Sequence, residues 1–333
     1  MTKMQDAQNR LRETVKDLFA QQKVDLVVGF EAGSLPLRTR VCFLTSADEA
    51  DRLVWNAFCT NNPAVYIPRL FQRPASPREE YKPPKLGIVA KACDARAVHK
   101  LLEEHQAPRE NVTIIGMPCR GMACRDKVVI QAGDEVVEAV ESTEGAVEIK
   151  TRGGASHRFE LQDLLQQACL DCPQAAPEHV DVQIEGASRR DTTRRYEGLK
   201  NFEAMSADQR WEYFRHELSK CIRCYACRQV CPTCYCKTCF ADMAKPRWTG
   251  AGDGLSDVMF YHIGRLMHQA GRCVECDACT RACPVGIDLK TFTRKLGKDV
   301  ERLFDYVPGL RPDEAPLLCA FEDDDTEEFV TDG

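Results

Sequence analysis

Long apolar runs are missing from this 333-residue chain. The longest, such as the stretch 24–30, are interrupted by charge and far too short to span a bilayer. The opening MTKMQDAQNRLRETVKDLF is rich in charge and has no apolar signal core, so a soluble protein of a reducing cytoplasm is expected. An excess of positive charge is missing too: the net charge of −6 argues against nucleic acid as a main partner. No glycine-rich dinucleotide fingerprint occurs, since GFEAGSLP at 29–36 follows a strand-like run but lacks the spacing. No catalytic acid, base or nucleophile stands out. With 44% hydrophobic and 29% charged residues, the composition is that of an ordinary globular protein, large enough for two domains.

Cysteine, in contrast, is abundant, with 19 residues. Eight fall in two copies of C-x-x-C-x-x-C-x-x-x-C-P, at Cys221, Cys224, Cys227, Cys231 and at Cys273, Cys276, Cys279, Cys283. A [4Fe–4S] cube needs four thiolates converging from different directions. Three closely spaced cysteines cover one side, and in two-cluster ferredoxins the fourth of each run crosses to the other cube. The expected ligand sets are therefore Cys221, Cys224, Cys227 with Cys283, and Cys273, Cys276, Cys279 with Cys231. Pro232 and Pro284 turn the chain away after each crossing cysteine. Zinc, the competing reading of paired C-x-x-C units, would leave cysteines over. A disulfide framework fits poorly with an odd cysteine count in a long chain.

The rest of the chain divides into an expected α/β domain (1–200), the two-run domain with a helical insertion (201–305) and a proline-containing acidic tail (306–333). Leu11, Val15, Leu18 and Phe19 predict an amphipathic opening helix. Runs at 24–30, 39–45, 86–90 and 112–116 predict strands, alternating with helices in the rhythm of a mixed or mostly parallel sheet. Ser46 and Glu49 read as a capping box, Asp94 as the cap of the helix after 86–90, and the prolines of 63–84 as an extended connection. Short alternating runs within 128–161 predict antiparallel hairpins. A stripe of Trp211, Phe214 and Leu218 reads as core. So does a broad helix face of Leu255, Val258, Met259, Ile263, Leu266 and Met267, ended by Gly271. His262 and His268 read as ordinary helix residues that hydrogen-bond near a cluster.

Two of the strands deliver Cys93 and Cys119 at their C-terminal ends, the edge where open α/β sheets bind cofactors. With Cys169 and Cys172 they make a candidate third [4Fe–4S] set, with Cys124 as a competitor and packed thiols as the bland alternative. Cys42 and Cys59 read as core. Cys234, Cys236 and Cys239 are either part of a further metal site or packed thiols, with Cys319 the sole distant candidate for a fourth ligand. Arg223, Arg228, Lys237, Arg272 and Arg281, with Lys290, Arg294, Lys295 and Lys298 beyond, form a basic collar suited to an acidic redox partner.

The segments KACDARAVHKL (91–101), IIGMPCRG (114–121) and CLDCPQAAPEHVDVQIEG (169–186) resemble the β-subunits of deazaflavin-reducing hydrogenase and formate dehydrogenase. The 212–290 region, with His268, Gly271 and Arg272 before Cys273, is similar to dicluster modules of heterodisulfide-reductase-like and anaerobic sulfite reductase electron-transfer subunits. The first resemblance implies that Cys93, Cys119, Cys169 and Cys172 hold a cluster, and that FAD is a further candidate cofactor. Here the cysteine runs are C-terminal, whereas those β-subunits place them first. The expected function is an iron–sulfur electron-transfer subunit of a cytoplasmic multisubunit oxidoreductase. It would relay single electrons between a catalytic dehydrogenase or hydrogenase subunit and a flavin or heterodisulfide-reductase-like partner. The alternatives are a flavin-bearing β-subunit that itself exchanges hydride with a soluble cofactor, and a feeder of an anaerobic sulfite reductase.

Overall fold

The structure, a computed structural model, describes residues 3–73, 81–141, 145–174, 176–188, 195–250 and 252–317. Cys319 and the acidic tail lie outside the described residues. Helix α1 (Lys3–Ala20) buries Ala7, Leu11, Val15 and Leu18 along one stripe. Each large aliphatic side chain there contributes roughly 1.5–3 kcal/mol of burial. That stripe covers one face of a five-stranded mixed sheet in the order β2–β1–β3–β4–β8. Its strands are β1 (Leu26–Ala32), β2 (Thr39–Leu44), β3 (Leu86–Ala90), β4 (Val112–Gly116) and the short β8 (Val182–Gln183). β1 pairs antiparallel with β2; the pairs β1/β3, β3/β4 and β4/β8 are parallel.

Side-chain alternation along the strands decides what each face meets. Val27, Val89 and Ile115 point into the α1 layer, whereas Val28, Ile88, Ala90 and Ile114 point to the other side. There α2 (Ala92–Glu103) packs through Ala97, Val98 and Leu101. Val274, Cys276 and Ala278 of the second cysteine run join that same apolar cluster. The run is thus mounted directly on the α/β core. Arg96 reinforces the joint: almost wholly buried, it donates to the carbonyls of Val274 (3.3 Å) and Pro308 (3.0 Å). Tyr306 and Val307 are buried as well, and Lys100 donates to the Tyr306 hydroxyl at 2.9 Å.

Between β4 and β8 the chain makes an excursion: helix α3 (Arg125–Ala132), then a three-stranded antiparallel sheet of β5 (Val136–Glu141), β6 (Ala146–Thr151) and β7 (Ser156–Glu160). The rest is mainly helical, with α4 (Ala207–Ser219), α5 (Leu255–Gln269) and α6 (Leu289–Phe304) surrounding the two cysteine runs.

Several local expectations are corrected. Ser46 makes no side-chain cap; Glu49 instead accepts from the Thr45 amide and hydroxyl, and 47–52 is a 3-10 helix. Helix α2 begins one turn earlier than Asp94 suggested: Lys91 is its N-cap, and Asp94, at the third helical position, accepts from the Lys91 amide at 3.1 Å. Cys93 therefore sits inside the first turn. The proline-containing stretch Pro63–Leu70 is coiled into short helical turns, with Pro63, Ala64 and Ile67 buried. Trp211 is 51% exposed and stacks on Phe214, so the stripe on α4 enters the core at Leu218 and, half-buried, at Phe214.

Candidate metal centres

Each cysteine run forces the chain into two left-handed turns at matching places. Arg223 and Tyr225 in the first run, and Glu275 and Asp277 in the second, have φ between 50° and 59°. Such non-glycine residues cost about 1–3 kcal/mol each, which surrounding structure must over-determine. The turns aim backbone N–H groups at sulfur: Arg223 N donates to Cys221 Sγ, Glu275 N to Cys273 Sγ and Ile287 N to Cys283 Sγ, all at 3.4 Å. Amides directed at sulfur suit thiolates better than neutral thiols. Short helices, Ala226–Gln229 and Ala278–Ala282, follow and carry the third cysteine of each run.

The last cysteine of each run lies near the other run: Cys231 lines a pocket with Cys273, Cys276 and Cys279, and Cys283 packs in one cluster with Cys221 and Cys227. Burial is the main reason that Cys221 and Cys227 are pushed up, but the charges of Cys283 and Cys224 add to it, so Cys283 sits with the first run. Cys231 acts in the same way on Cys273, Cys276 and Cys279, whose thiols burial pushes up, to about 12 for Cys279. Four buried thiols that repel one another when ionised call for a cationic body among them. Among the described residues no three His, Cys, Asp or Glu side chains converge on a single ion. The donor set fits a larger thiolate-ligated core, that of an iron–sulfur cube.

A third gathering lies at the C-terminal edge of the mixed sheet. Cys93, Cys119, Cys169 and Cys172 line one pocket, together with Lys91, Gly121 and, from the second run, Val274, Glu275 and Cys276. Burial pushes Cys93 and Cys119 up and takes Cys169 to about 12. Each of these three also feels a neighbouring cysteine's charge; for Cys93 the neighbours are Cys276 and Cys119. Met122 N donates to Cys169 Sγ at 3.0 Å. Gly121, at φ +97°, leaves the space that a Cβ would fill, 3.2 Å from the Cys169 Cβ. Cys124, the competitor, is the N-cap of α3 and does not line this pocket. Cys42 and Cys59 are buried in the core beside α1.

Cys234, Cys236 and Cys239 take separate positions on an open cleft of about 860 Å³ beside the second run. The Cys234 thiol donates to Cys231, which raises its own affinity for the proton and lowers that of Cys231. Gln269 Nε2 donates to Cys234 at 3.3 Å. Cys239 lies instead beside Arg228, and Cys236 is exposed. The cleft wall also carries Arg69, Arg73, Lys237 and Arg272, which include two members of the basic collar.

Of the six residues expected on the inner face of α5, Val258 and Leu266 are buried and Leu255 and Met259 pack against the same cluster as Val258. Ile263 and Met267 are 39% and 57% exposed, while His262, Arg265 and Gln269 are almost fully buried. The reason is chemical: one part of this face meets an apolar cluster and another part meets cysteines. His262 Nε2 lies 3.4 Å from Cys221 Sγ, and its burial, with Arg265 and Arg223 nearby, takes it down to about 4, so a neutral imidazole faces the sulfur. Gln269 accepts from the Thr233 hydroxyl and spans Cys231 and Cys234. Arg294 is a second residue that sequence patterning did not single out for a structural role. Its guanidinium meets Asp277 at 2.7 Å and Asp171 at 3.3 Å, tying the second run to the Cys169–Cys172 loop. A polar residue recurring at helical spacing opposite a cysteine run was the available signal.

Residues 217–287 match the family model of the 4Fe-4S dicluster domain. The chain is also similar to the F420-dependent formate dehydrogenase subunit beta of Methanocaldococcus jannaschii. The two are 21% identical over 292 residues, covering 70% of this chain and 76% of the relative. The F420-dependent formate dehydrogenase 1 subunit beta of Methanococcus maripaludis is 23% identical over 299 residues, covering 72% and 76%. Among solved structures, a chain of the F420-reducing [NiFe] hydrogenase complex from Methanosarcina barkeri overlaps with a TM-score of 0.37 at 13% identity. That overlap takes in 49% of this chain and 58% of the hydrogenase chain. The chain is thus an N-terminal α/β domain with a mixed sheet followed by a mainly helical ferredoxin-like dicluster region. Among the described residues no helix is long and apolar enough to cross a membrane.

Proposed function

We propose that this chain is an iron–sulfur electron-transfer subunit of a multisubunit oxidoreductase of the formate dehydrogenase or hydrogenase type. The observation that carries the proposal is the pocket that Cys231 shares with Cys273, Cys276 and Cys279, with Cys283 packed in one cluster with Cys221 and Cys227. Cys221, Cys224, Cys227 and Cys283 would hold one cube, and Cys273, Cys276, Cys279 and Cys231 the second. Cys93, Cys119, Cys169 and Cys172 would hold a third. When bound, such clusters supply one-electron storage. The protein's own part is to hold the sites in contact and out of water. Cys276 belongs to the second set and also lines the pocket of the third, so the second set is the middle member of a row. The basic cleft wall beside it suits an acidic redox partner. The relatives' names supply the reaction class: F420-dependent formate oxidation.

Iron and acid-labile sulfide in anaerobically purified protein test this reading. About twelve irons per chain are expected, about eight if the sheet-edge set stays as thiols, and zinc without sulfide would overturn the proposal. Flavin released on denaturing the same sample separates this relay from a flavin-bearing subunit that exchanges hydride itself.

A further inference from the structure

Arg265 lies on α5 between the two cysteine runs, only 4% exposed. Its Nη2 donates to the Cys227 carbonyl of the first run at 3.1 Å. The same side chain lines the pocket formed by Cys231, Cys273, Cys276 and Cys279 of the second set. Its Nε and Nη1 are buried without a well-aligned acceptor, and no carboxylate pairs with it among the described residues. A guanidinium stripped of water and given no counter-ion is costly, so a buried arginine in this position requires negative charge nearby. We infer that Arg265 is the shared counter-charge of the two cubes: one fixed cation, placed between both thiolate sets, that raises the reduction potential of each. The inference rests on the dicluster reading above and adds a residue role to it.

The thiols provide the electrostatic complement. Cys231 and Cys279 line the same pocket as the guanidinium, and Cys227 offers it a carbonyl, so cysteines of both runs flank it. Arg223 and His262 do not duplicate the role. Arg223 is engaged by the carbonyls of Gly250 and Gly252 and by the Tyr225 and Thr249 hydroxyls, and His262 reaches Cys221 of the first run. Reduction adds one electron, and so one negative charge, to a thiolate-ligated cube. A fixed cation at low dielectric therefore favours the reduced form of either cluster.

The test is a redox titration of the full chain, followed by electron paramagnetic resonance, with Arg265→Gln and Arg265→Lys beside the unmodified protein. Iron and sulfide in the unmodified protein establish the clusters first, so a failure of the dicluster reading is seen separately. Arg265→Gln is expected to lower the reduction equilibrium of both ferredoxin-type clusters about tenfold or more, which is about 59 mV per tenfold for one electron. Arg265→Lys, which keeps the charge, is expected to stay near the unmodified values. Unchanged potentials in a fully loaded Arg265→Gln protein would overturn the inference, and so would a shift confined to one cluster. Should Arg265→Gln take up no iron, the lysine variant decides. Loading at unmodified potentials supports the need for charge, and failure of the lysine variant too assigns Arg265 a packing role instead.

Discussion

Replacing Arg294 with methionine probes how the second cysteine run is fastened to the sheet-edge loop. Arg294 is 2% exposed, and its two terminal nitrogens meet Asp277 and Asp171, which are themselves buried. Burial raises the Asp277 carboxyl, and Arg294, ahead of Arg281 and Lys290, pulls it back. Methionine keeps the aliphatic length but leaves both acids without the guanidinium. Breaking a buried pair by removing one partner costs about 3–5 kcal/mol. A chain of 333 residues unfolds with an entropy of about 0.7 kcal/mol per kelvin, so the melting temperature should fall by about 4–7 °C. The assay is anaerobic thermal unfolding of the loaded protein, run as a double-mutant cycle with Asp277→Asn. Asparagine tolerates the left-handed turn at that position. The coupling energy should exceed about 1.5 kcal/mol. Lys150→Met serves as the control, because its pair with Glu138 is more than half exposed on both sides and surface pairs contribute about 0–1 kcal/mol. If Arg294→Met costs no more than that control, the staple does not exist as an energetic feature.

Three further outcomes are expected. Cys93→Ser should lower the iron content by about four per chain while leaving the clusters of the two runs, since Cys93 belongs only to the sheet-edge set; loss of all iron would contradict that separation. Gly309→Ala should destabilise the protein by at least about 1–2 kcal/mol, because Gly309 has φ +66° and an added Cβ would collide with the Arg96 carbonyl. Limited proteolysis after α6 would report that loss directly. Burial raises the Glu301 carboxyl, but Arg195 and the Tyr196 hydroxyl, both at 2.6 Å, outweigh it and hold Glu301 below its ordinary value of 4.5. Its contribution is therefore fully present above pH 4.5 and lost as pH falls through the lower folded value. The unfolding midpoint of Glu301→Gln should lie below that of the unmodified protein at pH 7, and the two should converge on acidification. A gap that widens toward low pH would refute the sign.

What could be read from the chain follows from how local each signal is. The runs from Cys221 and Cys273 declare themselves because cluster ligation fixes cysteine spacing within a dozen residues. Helix α1 and strands β1, β3 and β4 declare themselves because apolar side chains recur at the period of the element. The inner face of α5 does so only in part, through Leu255, Val258, Met259 and Leu266, because periodicity arguments assume that buried means apolar. Around thiolates the inward positions are His262, Arg265 and Gln269, and the apolar Ile263 and Met267 are turned to solvent. Asp94 misled by one turn because a carboxylate at the third helical position and one at the cap carry the same short-range pattern. Trp211 misled because a stripe on a helix does not say how far along its length the neighbouring layer extends. The convergence of Cys93 and Cys119 with Cys169 and Cys172 was legible only as a hint. It depends on the excursion through α3 and β5–β7, which returns the chain to the sheet edge some fifty residues later.

The proposed reciprocal lodging of Cys231 and Cys283 would have a consequence for how the protein is made. With those ligand sets neither metal core could be completed by its own stretch of polypeptide, so an emerging chain that had exposed only the first run would have three corners and no fourth. Insertion of iron and sulfide would wait until α5 had folded back and delivered the second stretch. From then on the pair would mature, or be lost, as one unit.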